Sequence, residues 1–86
     1  MDINELITII KKKLQDKIII ENLTIEDKSF LHKNHLNNQE GKFHLKVILE
    51  SKELKQISKI DSNKKIYGLL AKELKEYIHS IQILIK

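Results

Sequence analysis

Eighty-six residues with a formal net charge of +4 amount to one domain, 1–86, with no room for a second core. The absence of cysteine excludes a disulfide framework, a Cys-based zinc site and a thiol nucleophile. With 41% hydrophobic and 33% charged residues the profile is globular rather than disordered, and two glycines with no proline leave few breaks in regular structure.

The basic residues are all lysine, which offers point charges to phosphates but not the bidentate base reading of arginine. The Met-Asp-Ile-Asn-Glu start lacks the basic and apolar regions of a signal peptide, and no apolar run reaches membrane-spanning length. The expected location is cytoplasmic, without a membrane.

Asp2, followed three residues later by Glu5, forms the sequence pattern of a helix-capping box. Ile3, Leu6, Ile7, Ile10, Leu14 and Ile18 then recur at helical spacing, with Lys11, Lys12, Lys13 and Lys17 toward water. Glu21 to Lys28 alternates as a strand, with Leu23 and Ile25 on one side and Thr24 and Glu26 on the other. Asp27 to Lys42 loses that period and reads as a polar loop, longer than a hairpin needs, that carries His32 and His35.

Phe43 to Glu50 alternates again and is expected to pair antiparallel with the first strand. Phe43, Leu45, Val47 and Leu49 face one way, and His44, Lys46, Ile48 and Glu50 the other. Ser51 to Asp61 holds a turn and a short helical segment. Asp61 or Ser62 caps a long helix that ends near His79, and Ile81 to Ile85 forms the third strand. Helix-strand-strand-helix-helix-strand is an α+β order, three strands with helices on one face.

Nothing in the chain has the context of an enzyme: no Ser/His/Asp arrangement, no glycine-rich phosphate loop and no close carboxylate pair in apolar surroundings. Chemistry rests on four histidines, His32, His35, His44 and His79, which form no recognised zinc motif. Taken singly, His32 and His35 are exposed loop residues, His44 an outward strand residue and His79 a helix-end residue favoured by the dipole. As a set, two loop histidines and a helix-end histidine could face one another over the sheet edge and complete a shared metal site.

Ile25-Glu26-Asp27-Lys28-Ser29-Phe30-Leu31-His32 resembles the Asp-x-Ser-x-x-His segment of the BolA family. His35, Gly41 and Phe43 to Ser51 resemble its following loop and Ser/Thr-His-Phe-x-Val-x-Ile-Val-Ser strand. Ile66-Tyr67-Gly68-Leu69-Leu70-Ala71-Lys72-Glu73-Leu74 and Tyr77-Ile78-His79-Ser80-Ile81 are similar to its Val-Tyr-x-x-Leu…Glu-Leu…Ile-His-Ala-Leu signature.

The resemblance implies a class II KH-like α+β fold with a three-stranded mixed sheet covered by helices on one face. It also implies a non-enzymatic adaptor that binds a monothiol glutaredoxin and shares with it, and with glutathione, a [2Fe-2S] cluster. Carried over residue by residue, the ligands implied are His79 and His32, with His35 as the alternative in the same loop. The family's other implied role is transcriptional regulation through DNA or RNA contact, for which Lys59, Lys64 and Lys65 would meet phosphates. Ser62-Asn63-Lys64 stands where the family carries Arg-His-Arg, which weakens that role. A metal-independent protein-interaction domain is the third reading. Alone, the chain is expected to be a monomer or a weak homodimer.

Overall fold

The computed structural model describes residues 1–29 and 42–86. The chain runs α1 (Ile3–Lys17), β1 (Asn22–Asp27), β2 (Phe43–Glu50), α2 (Lys52–Lys55), α3 (Lys59–Leu69), α4 (Ala71–Glu76) and β3 (Ile78–Ile85). Asp2 opens α1 by accepting the Glu5 N–H at 2.8 Å, which satisfies one of the donors a helix start leaves free. Leu6, Ile10, Leu14 and, just past the helix, Ile18 are buried.

The sheet order is β1-β2-β3, with β1 antiparallel and β3 parallel to β2. The inward residues of β1 and β2 pair as Leu23↔Leu49 and Ile25↔Val47. They join α1, Leu54, Ile66, Leu70 and Ile78 in one apolar cluster. The opposite sheet face carries Thr24↔Ile48 and Glu26↔Lys46. Backbone bonds from Glu21 N–H to Glu50 O and from Lys28 N–H to His44 O extend the β1–β2 ladder to the full 21–28 stretch that the alternation predicts.

Two expectations about the second half require correction. The long helix starts earlier than Asp61 or Ser62: Ser58 is its cap and accepts the Asp61 N–H at 3.0 Å. Ser62 is instead fully interior, and its hydroxyl donates to the Leu54 carbonyl at 2.9 Å, tying α2 to α3. That helix is also broken at Leu70 and ends at Glu76, not His79. The Phe43 N–H donates to the Tyr77 carbonyl at 2.9 Å, so pairing with β2 takes over just where one more helical turn would have formed. His79 is therefore the second residue of β3, which begins three residues before the predicted Ile81.

Candidate functional site

Where β3 joins β2 the register slips. Phe43 pairs with Ile78 and the next residue, His44, pairs with Ser80, so His79 is the extra residue of a β-bulge. A bulge bends its strand and re-aims the side chain it carries. The exposed His79 ring lies beside that of His44, with centroids 4.7 Å apart and planes at 48°.

His44 is held from several directions. Only 5% of it is exposed. Its Nδ1 lies 2.7 Å from Ser80 Oγ, its N–H donates to Ser29 Oγ at 3.0 Å, and its carbonyl accepts the Lys28 N–H at 2.7 Å. When Nδ1–H is the donor to Ser80, Nε2 keeps its lone pair, so the Ser80 contact governs which ring nitrogen can act as a base or ligand. A groove of about 390 Å³ opens alongside, lined by Lys28, His44, Lys46, Ser80 and Gln82 among others. Lys28 is paired with Glu26 at 3.2 Å.

Of the four histidines singled out in the sequence, His44 and His79 stand together at this site. His32 and His35 lie outside the described residues. Lys59, Lys64 and Lys65 are exposed on α3, and Lys65 lies 3.6 Å from the Glu53 carboxylate, which partly offsets its charge. His44 was read from the sequence as an outward strand residue with no part in the ligand set; what that reading missed is that the outward ring is buried between Ser80 and His79. Its signal was its place in the family-like strand segment, and only the bulged pairing with β3 shows what it touches.

Among the described residues no three His, Cys, Asp or Glu side chains converge to hold a metal. His79 offers one exposed imidazole, which does not by itself make the ligand set of a [2Fe-2S] cluster; a group held here would need further ligands from elsewhere in the chain or from a partner.

A three-stranded mixed sheet with helices on one face is the α+β architecture of a BolA-type domain. The model of the BolA-like protein family matches residues 14–86, and the chain belongs to that family. It is 33% identical over 75 residues to the "DNA-binding transcriptional regulator BolA" of Haemophilus influenzae, covering 87% of this chain and 70% of that protein. Among solved structures it is similar to the BolA domain of SufE1 from Arabidopsis thaliana, with a TM-score of 0.77 and 28% identity over 92% of this chain and 87% of the other. BolA1 from the same plant gives a TM-score of 0.77 and 26% identity, with coverage of 92% and 87%.

Proposed function

We propose that this chain is a non-enzymatic adaptor that binds a monothiol glutaredoxin and co-ligates a [2Fe-2S] cluster with it. His79 is one ligand and a histidine of the preceding loop, His32 or His35, is the other. The observation that carries the reading is the bulge at His79, which sets an exposed imidazole against the buried, hydrogen-bonded His44. Ser29 strengthens it: its hydroxyl takes the His44 N–H, and three peptide units of about 3.6 Å each tether His32 to it.

In such a complex the cluster would bring electron-transfer chemistry whose potential rises as histidine replaces cysteine on one iron. This chain's own contribution is orientation: Ser80 and Ser29 hold His44, and His44 supports the ring of His79. The absence of cysteine agrees with a half-site whose sulfur comes from the partner and glutathione.

The test is reconstitution with a monothiol glutaredoxin, iron, sulfide and glutathione. His79→Ala is expected to change the visible absorption and circular dichroism of the mixed species. Unchanged spectra in that variant and in His32→Ala/His35→Ala would remove the ligand assignment. Complex formation that needs neither metal nor any histidine would favour a plain interaction domain.

A second reading, a nucleic-acid-binding regulator, draws support from the name of the Haemophilus relative and from Lys59, Lys64 and Lys65, all exposed on α3. DNA or RNA affinity should then fall with salt, at a log–log slope of about −0.7 to −0.9 per phosphate contacted. No binding at low salt disposes of it.

A further inference from the structure

The two edges of the sheet are built differently. β1 and its flanks carry Glu21, Glu26, Asp27 and Lys28, charges that discourage another strand from pairing. β3 carries no Lys, Arg, Asp, Glu or Pro from Ile78 to Ile85, and it is the other edge. Its inward residues Ile81, Ile83 and Ile85 are only partly buried against the core, and on the outer face Leu84 is 43% exposed.

The backbone of that edge has a definite polarity. The Lys86 N–H donates to the Leu49 carbonyl at 2.8 Å, so Lys86 points its polar groups at β2. In a parallel ladder this alternates, so Leu84, Gln82 and Ser80 also bond inward. Ile81, Ile83 and Ile85 therefore turn their N–H and C=O groups to the edge that, among the described residues, no strand covers.

We propose that β3 is a homodimer edge and that its occupant is β3 of a second copy, paired antiparallel about a two-fold axis at Ile83. In this register Ile83 meets the partner's Ile83 and Ile81 meets the partner's Ile85. These are the residues with outward polar groups, so each pairing is a hydrogen-bonded one, about six bonds in all. On the other face Gln82 meets the partner's Leu84 and Ser80 meets the partner's Lys86, so no like charges stand opposite.

The axis is normal to the sheet. It keeps both helical layers on one face and joins the two isoleucine rows into one apolar strip. A shift of the axis to Gln82 or Leu84 shortens the strip, and the bulge at His79 stops the pairing at Ser80. The His79 ring thus stays outside the paired stretch.

The assay is sedimentation of the full chain across a concentration series, where the expected mass rises from 10.1 kDa toward twice that value. Two variants at the exposed positions 82 and 84 then test the register without disturbing the core. Gln82→Glu/Leu84→Glu sets like charges opposite each other across the axis and should weaken association by on the order of tenfold. Gln82→Glu/Leu84→Lys sets opposite charges there and should retain it. The amides of Ile81, Ile83 and Ile85 should exchange more slowly as concentration rises. A 10.1 kDa species at every concentration overturns the proposal, as does dimerisation by both variants alike or by neither.

Discussion

Glu73 lies in a segment that resembles the family signature, which invites a functional role, yet its surroundings make it a strut between helices. It sits on α4 with 3% of its surface exposed, and its Oε2 is 2.7 Å from Lys13 Nζ on α1. Its other oxygen, Oε1, is buried and has no hydrogen-bond partner among the described residues. Lys13→Ala would leave a buried carboxylate with no cation. Breaking a fully buried pair costs about 3–5 kcal/mol. The Lys13 side chain is 39% exposed, so water screens the pair and the figure falls to about 1–2 kcal/mol.

Glu73→Gln keeps the volume and removes the charge that needs compensation, so it should cost less, about 1 kcal/mol or under. In the Glu73→Gln background the further change Lys13→Ala should be nearly silent, which makes the double-mutant cycle the decisive form of the experiment. Urea unfolding of the four proteins supplies the free energies, and the single change Lys13→Ala should lower the melting temperature by roughly 4–16 °C. A Lys13→Ala variant as stable as the parent, or a cost undiminished in the Glu73→Gln background, would refute the strut. Loss of glutaredoxin binding in a stably folded Glu73→Gln protein would show a function instead.

Other outcomes follow from the same contacts. Ser62→Ala removes the bond to the Leu54 carbonyl, which keeps its longer 3.3 Å bond from the Ile57 N–H, so the loss should be that of one net hydrogen bond, about 0.5–1.5 kcal/mol by chemical denaturation. Leu14→Ala opens a cavity at a position with 0% exposure and should cost about 2–5 kcal/mol in the same assay. Ser80→Ala deletes the 2.7 Å contact to His44 Nδ1; the reconstituted cluster's circular dichroism should change, Ser80→Thr should restore it, and a spectrum identical in all three proteins would show that Ser80 does not orient the site.

Local patterns determined most of the architecture. The α1 stripe of Leu6, Ile10 and Leu14, the alternation of Phe43–Glu50 and the cap at Asp2 depend on neighbours within a few residues, and each is present as the spacing predicts. Ile66, Leu70 and Glu73 are buried on both sides of the break at Leu70, because a one-residue irregularity leaves the same side turned inward. The start at Ser58 was hidden by Ile57 and Ile60. They continue the helical spacing of Leu54 but are 42% and 67% exposed, so the short helical segment, which is present as α2, looked longer than it is.

His79 was identifiable as a candidate from the family-like Ile-His-Ser-Ile step, but its setting was not. Whether the backbone at 77–79 continued as helix or joined a strand was settled by β2, more than thirty residues away, through the Phe43-to-Tyr77 hydrogen bond. The extra residue in β3 then brought His44 and Ser80 alongside. A bulge is a mismatch between two strands, so neither strand's sequence encodes it alone. The sequence by itself determined which residues are candidates and which sides of the helices and strands are apolar; the tertiary pairing decided that His79 stands on a strand, with His44 as its neighbour.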